Sequence, residues 1–427
     1  MNESSLGTPA LAGLDAITSD LEDLYRDVHE HPELSMQEHR TAAKAAQCLR
    51  AAGYAVTTGI GGTGVVGLLA NGDGPTVMLR ADMDALPVKE ATGLPYASTA
   101  TATDPAGNEV PVMHACGHDM HVTWLAGVTA LLAAARDTWR GTLLAVFQPA
   151  EETAQGAQAM IDDGLFEHFP KPEVILGQHV MPAPAGDIGY RAGTTQAAAD
   201  SLEVRLFGRG AHGSMPESSV DPVVMAAATV LRLQTIVSRE IAAREAAVVT
   251  VGALQAGTKD NVIPDEALLK LNIRTFDEDV RSHVLDAITR IANAEAAASG
   301  APRAPEITMT EHYPLTVNDP DRTARVAAAL RAQFGDDRVH ELSAPVSASE
   351  DFGSFGTQWG VPSVFWYVGG ADPDEYRMAE QAGRVAQDIP TNHNARFAPV
   401  IHPTLEAGVQ AMTTAALDAL TSGSATP

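Results

Sequence analysis

Cysteine is almost absent from this chain: two residues in 427 cannot build a disulfide framework. The expectation is a reduced, cytoplasmic protein whose thiols stay free. No run of about 18 apolar residues occurs, which leaves no candidate for a membrane-spanning helix. The opening MNESSLGTPA has neither the basic start nor the apolar stretch of a signal peptide, so none is expected. Basic residues are also scarce, with 28 Lys and Arg against 54 Asp and Glu and a formal net charge of −26. Such a field disfavours nucleic acid and anionic membrane surfaces as partners, and it also serves solubility. It sets a condition as well: an anionic substrate would need local positive charge at its site.

What is present suits a globular protein of two domains with a large core, since 45% of the residues are hydrophobic. Ile17, Leu21, Leu24 and Val28 recur at helical spacing. Ser35 with Glu38 reads as a capping box opening a second helix, and Gly53 as its close. From there to about residue 190, apolar strands such as TVML (76–79), TLLAVF (142–147) and VILG (174–177) alternate with helical stretches. Strands that are continuously apolar belong in a sheet covered on both faces, so the expected class is α/β with a mostly parallel sheet.

The style changes after about residue 192. In SLEVRLFG (201–208) apolar and charged residues alternate, as in a strand with one wet face. Asp221-Pro222 opens a helix, strands follow at 247–254 and 267–276, and a helix covers 278–298. This order resembles a small ferredoxin-like α+β unit. After about residue 312 the earlier style returns, with VPSVFWYVG (361–369) as another buried strand. One domain, 193–312, is therefore read as inserted into another built from 1–192 and 313–427. No internal repeat is visible, and the Ser/Thr/Gly tail after Leu420 is the one low-complexity stretch.

Three of the apolar strands run straight into reactive residues: Arg80-Ala81-Asp82-Met83-Asp84, Gln148-Pro149-Ala150-Glu151-Glu152 and Gln178-His179. Sites in open α/β sheets form beyond the carboxyl ends of strands. MHACGHDMH (113–121) joins them just before a helix. Taken alone, this segment fits two readings. Cys116 and His118 can face the same way and ligate zinc, or less selectively manganese, cobalt or nickel. Alternatively Cys116 is a small buried hydrophobe and the histidines cap a helix. Glu151-Glu152 favours the first. One carboxylate can bind metal while the other takes a proton from water, provided the turn between Ala150 and Thr153 is irregular enough to aim both at one site. His179 and the polar loop Thr391-Asn392-His393-Asn394 supply further imidazoles, and Ser349-Glu350-Asp351 is another polar knot.

In order along the chain, HEHPELSMQE, RADMDALP, MHACGHDMH, FQPAEE, GQHV, GAHGSMP, NVIPD, SASEDF and NHNARFAP resemble the aminoacylase and carboxypeptidase type of binuclear metallohydrolase. The likeness is to the branch of hippurate hydrolase, N-acyl-amino-acid amidohydrolases and auxin–amino acid conjugate hydrolases, and it spans nearly the whole chain. It implies a catalytic metal-binding domain with an inserted lid and dimerisation domain, and a homodimer acting on a small N-acyl amino acid. It implies two divalent ions held by Cys116, His118, Glu152, His179 and His393, with Cys116 bridging. Glu151 would be the general base and Asp82 would orient a metal-bound histidine. His212 would cross the dimer interface to the substrate carbonyl oxygen, and Asn261 and Arg274 would grip the substrate carboxylate. Arg80 departs from the wider family, where a histidine ligand is common. Asp119 is left as support, and His114 and His121 with structural roles. A dipeptidase or carboxypeptidase with the same residues, and a metal-dependent binding protein that has lost catalysis, are the rival readings.

Overall fold

The computed structural model of the protein describes residues 8–421, so most of the opening MNESSLGTPA and nearly all of the tail after Leu420 lie outside the described residues. The chain forms two compact units. The larger holds the chain up to Thr195, Val317–Ala344 and the chain from Asp351 onward. The smaller holds Gln196–Thr316 together with Pro345–Glu350.

The larger unit is built on one sheet of β1 (Ala55–Ile60), β2 (Gly64–Asn71), β3 (Thr76–Asp82), β4 (Gly141–Gln148), β5 (Val174–Pro184), β6 (Ile188–Tyr190), β7 (Val339–Glu341) and β8 (Ser363–Ala371). Their spatial order is β1-β2-β4-β3-β5-β8-β6-β7. The central strands β4, β3, β5 and β8 run parallel. Antiparallel pairing is confined to β1 with β2, β2 with β4, and β8 with β6.

Burial explains the continuous apolar strands. Along β4, Leu143, Ala145 and Phe147 join the main core, and the intervening Leu144 and Val146 are equally buried on the other side. Helices α1 (Leu14–Glu30), α2 (His39–Ala51), α3 (His118–Ala134) and α4 (Ile401–Thr421) supply most of the rest of that core. Beyond the opposite side, the short helices Gly156–Asp162 and Gly353–Trp359 bury Met160 and Phe355, and Phe352 packs 5.0 Å ring to ring against Phe365. On α1, Leu21 and Val28 are buried, while Ile17 and Leu24 pack half-buried against the core.

The expected capping box before α2 does not form. Glu33 caps the helix instead, its two oxygens accepting from Arg40 N at 2.9 Å and Thr41 N at 2.8 Å. Ser35 donates its hydroxyl to Asp84, and Glu38 turns fully inward to accept the Ala150 amide. A buried amide in need of an acceptor outweighs a cap that water can replace. Gly53 does close the helix, at φ +82°.

Helix α3 is buried nearly all round. It begins at Gly117, which adopts φ +85° and where a Cβ would lie 2.4 Å from Val180. Asp119 in its first turn accepts from His29 of α1 at 2.6 Å, and the other His29 nitrogen lies 3.1 Å from Glu90. Burial would depress the His29 imidazole, but these two carboxylates outweigh it and hold the group up at about 9. Where α3 meets α4, Trp124 leaves no room beyond Gly408, since a Cβ there would come within 2.1 Å of the indole.

The smaller unit is a four-stranded antiparallel sheet in the order 247–256, 266–275, 198–207, 306–313. Helices Pro222–Thr235 and Glu278–Ala298 share its core. This is the ferredoxin-like arrangement. Leu202, Val204 and Leu206 point into the core and Glu203 and Arg205 do not, as their alternation predicts.

Two outcomes follow for stability. Gly408→Ala should lower the thermal midpoint, because overpacking against Trp124 costs about 1–3 kcal/mol and exceeds the helix propensity gained by alanine, about 1 kcal/mol. A raised midpoint would contradict the packing. The raised His29 adds stability that is fully present below its unfolded value of 6.5 and is lost as pH rises through about 9. Denaturant titrations from pH 6 to 10 should therefore show a decline of up to about 3 kcal/mol that His29→Gln removes.

Candidate metal centre

The parallel strands bring their carboxyl ends to one side of the sheet. Asp82 closes β3 opposite Gln148 of β4, and His179 of β5 sits opposite Tyr367 of β8. After β4 the backbone breaks sharply. Ala150 adopts φ +48°, Glu151–Thr153 form one 3-10 turn, and Ala154 adopts φ +56°. This irregular turn aims both neighbouring carboxylates the same way. A Glu151 oxygen lies 4.0 Å and a Glu152 oxygen 3.9 Å from His118 Nε2.

Of the sets of three donors whose ligand atoms lie within 4.8 Å of one another, two share Cys116. One is Cys116, His118 and His179; the other is Cys116, Glu152 and His393. Cys116 belongs to both, so the two sets adjoin one another at its sulfur. Two of the imidazoles are oriented by their far nitrogens. His118 Nδ1 donates to the Asp84 carbonyl oxygen at 2.9 Å, and His179 Nδ1 donates to the Val180 carbonyl oxygen at 2.7 Å, which turns both Nε2 atoms inward. His393, itself at φ +68°, is tied by its amide to the Ala115 carbonyl oxygen at 2.7 Å. Asn392, beside it, donates to the Cys116 and Val180 carbonyl oxygens.

The donors fit a divalent cation on two counts. First, His118 Nε2 and Glu152 Oε1 are buried without a hydrogen-bond partner, and orphaned polar atoms of that kind are costly unless an ion or water meets them. Second, the electrostatics call for positive charge. Burial would lower His118, but Asp82 and then Cys116 outweigh it and hold the imidazole well above its ordinary value. Hydrogen bonds to Cys116 and Glu152 push His393 up to about 10. Burial, and next the Glu152 carboxylate, push the Cys116 thiol up. Among these donors His179 is held well below its usual range, by burial and then by His121, and so offers a neutral lone pair.

Asp82 meets His121 Nδ1 at 2.5 Å and Arg80 at 2.6 Å, and lies 3.8 Å from His118 Nε2. His121 Nε2 accepts from Val180 N at 2.9 Å, so both its ring nitrogens are engaged. Arg80 is a buried guanidinium fixed by Asp82, Asp351 and Gln148. His114 is buried with neither ring nitrogen hydrogen-bonded, and burial pushes it down to about 4. The sequence motifs contain Asp84, Glu38 and Asn392, but the sequence alone gives none of the three a part in the site. Asn392 stands next to His393, whereas the contacts of Asp84 and Glu38 are long-range.

The remaining expected residues lie in the smaller unit. His212 is exposed, with Nδ1 2.7 Å from the Ser214 hydroxyl, on a short ladder whose other strand, Val262–Ile263, follows Asn261. Arg274 is half-buried on the strand 266–275, donating to Asn272 at 3.2 Å and Ser349 at 2.6 Å.

Known proteins resemble this chain in sequence and fold. Hippurate hydrolase of Campylobacter jejuni is 38% identical over 343 residues, 79% of this chain and 85% of that protein. N-acetylcysteine deacetylase of Bacillus subtilis is 34% identical over 90% of this chain and 97% of its own. A Bacillus subtilis crystal structure described as a dinuclear metal-binding peptidase of the M20 family superposes with a TM-score of 0.75 at 29% identity, covering 95% of this chain and 99% of that one. Residues 78–387 match the family model itself, and the chain belongs to peptidase family M20/M25/M40.

Proposed function

We propose that the protein hydrolyses the amide bond of N-acyl amino acids, using two divalent ions and Glu151 as general base. The observation that carries this is the pair of donor sets sharing Cys116, with the buried Glu151 carboxylate beside them. The activities named for the Campylobacter and Bacillus relatives support the substrate class. Cys116, His118 and His179 would hold one ion, and Cys116, Glu152 and His393 the other. Mixed thiolate, imidazole and carboxylate donors suit zinc, manganese, cobalt or nickel. Bound there, such ions polarise the scissile carbonyl and acidify the attacking water.

The chain's own groups do the rest. Glu151 takes a proton from the water as it adds to the carbonyl carbon, and returns it to the amide nitrogen as the C–N bond breaks. The Asp84 and Val180 carbonyl oxygens keep the His118 and His179 imidazoles oriented, while Asp82 holds His121 beside them. His212, supplied by the second subunit of a homodimer, donates to the developing oxyanion. Asn261 and Arg274 grip the substrate α-carboxylate. Arg274 is already aimed by Asn272 and Ser349, and its fixed charge answers the net charge of −26. Support for the homodimer comes from the smaller unit, where Val224 and Leu231 form an uncovered apolar stripe on one helix, 65% and 73% exposed. Scarce cysteine and the absence, among the described residues, of any helix long and apolar enough to cross a membrane support a cytoplasmic location.

Glu151→Gln should retain its metal by elemental analysis while turnover of N-acyl amino acids falls by about 10²–10⁴-fold; near-normal hydrolysis would overturn the base assignment. Assay of dipeptides beside N-acyl amino acids decides the substrate class, and faster dipeptide turnover would reverse it. Subunit exchange tests the crossing histidine. His212→Ala and Glu151→Gln homodimers should each be inactive, and their equimolar mixture should recover about a quarter of wild-type activity, since each mixed dimer holds one complete site.

A further inference from the structure

Asp84 follows β3 by two residues and is 1% exposed. Its oxygens all point toward the candidate centre. Oδ1 accepts the Glu151 amide at 3.1 Å, and Oδ2 accepts the Glu152 amide at 3.0 Å and the Ser35 hydroxyl at 2.6 Å. Its carbonyl oxygen accepts His118 Nδ1–H at 2.9 Å. Glu38 extends the brace by one residue, one oxygen accepting the Ala150 amide at 2.8 Å and the Met36 amide at 2.9 Å. Three consecutive amides, those of Ala150, Glu151 and Glu152, therefore end on two buried carboxylates.

We propose that Asp84 is a positioning residue that holds the base Glu151 and the ligands Glu152 and His118 in one register. The inference rests on the roles given to those three residues above. Amide bonds to a carboxylate are charge-assisted and about twice as strong as neutral ones. That strength suits a turn whose left-handed alanine is otherwise unfavourable. Catalytic groups tolerate about 0.5 Å of error, and a single residue that touches all three leaves them little freedom to move separately. The chemistry requires a carboxylate here. An amide in its place would set an N–H donor against the Glu151 or the Glu152 amide, and one buried donor would lose its acceptor.

Asp84→Asn is the direct test, with cobalt(II) as the probe because its visible absorption reports ligand geometry without turnover. The folded variant should bind cobalt about 10–100-fold more weakly with an altered spectrum, and kcat on N-acyl amino acids should fall by a similar factor while KM stays near wild type. If Asp84→Asn does not fold, Ser35→Ala carries the test: it removes one bond to Oδ2 and should weaken cobalt binding in the same direction by about 2–10-fold. A folded Asp84→Asn with wild-type cobalt affinity, spectrum and kcat overturns the proposal, as does wild-type cobalt binding by Ser35→Ala where that variant alone folds. Failure of the functional reading looks different: the wild type then hydrolyses no N-acyl amino acid, while the cobalt response to Asp84→Asn remains.

Discussion

Nearly every donor at the centre owes its position to backbone that leaves the regular regions. Glu151 and Glu152 follow Ala150 at φ +48°, His393 is itself at φ +68°, and Cys116 and His118 flank Gly117 at φ +85°. A left-handed conformation costs a residue with a Cβ about 1–2 kcal/mol. The fold meets that cost with bonds from outside the turns: Glu38 and Asp84 on the 150–152 amides, and the Ala115 carbonyl oxygen on the His393 amide. His179 is the exception, projecting from regular β5, and it needs only its own Val180 carbonyl oxygen to set its ring. Regular strands deliver the chain to one side of the sheet, and strained turns convert delivery into convergence.

Charge is the second constraint. The larger unit buries Asp82, Asp84, Glu38, Glu151, Asp119 and Asp351. An unpaired buried carboxylate is expensive, so each must meet donors. Arg80 neutralises Asp82 and Asp351, and His29 bridges Asp119 and Glu90. Burial would raise Asp82, but His118, Arg80 and His121 outweigh it and hold it well below the carboxylate range. Where the resemblance implies that a histidine ligand is common, Arg80 is a fixed guanidinium, and the proposed ligation falls to Cys116 and His118.

Much of this was legible in the sequence where the signal was local. TLLAVF and VILG announced strands buried on both faces, SLEVRLFG announced a half-wet one, and the requirement for an irregular turn after Ala150 followed from two adjacent carboxylates needing one target. The capping box failed because it is a rule about neighbours, while Glu38 answers to an amide 112 residues away. Asp84 escaped for the same reason: its contacts with Ser35 and Glu152 span 49 and 68 residues. His121 and His118 lie one helical turn apart and look alike in sequence, and only the partners of their ring nitrogens separate them. Periodicity reports burial well, but it carries no information about which distant acceptor a buried donor will find.

The protonation pattern ties the centre to its proposed ions more closely than donor identity does. Cys116 is pushed toward its thiol, while His118 and His393 are pushed toward their imidazolium forms. All three shifts oppose ligation, which needs thiolate and neutral imidazole. The causes differ: burial and then Glu152 raise Cys116; against burial, Asp82 and then Cys116 raise His118; and hydrogen bonds to Cys116 and Glu152 raise His393. A divalent ion held as proposed would meet the same field with more charge, and His118 Nε2 and Glu152 Oε1 are buried there without a hydrogen-bond partner. Protons and metal would then compete for the same donors. On the proposed reading, the clustering of acidic groups around Cys116, costly on its own, would favour cations inside a chain that carries a net charge of −26.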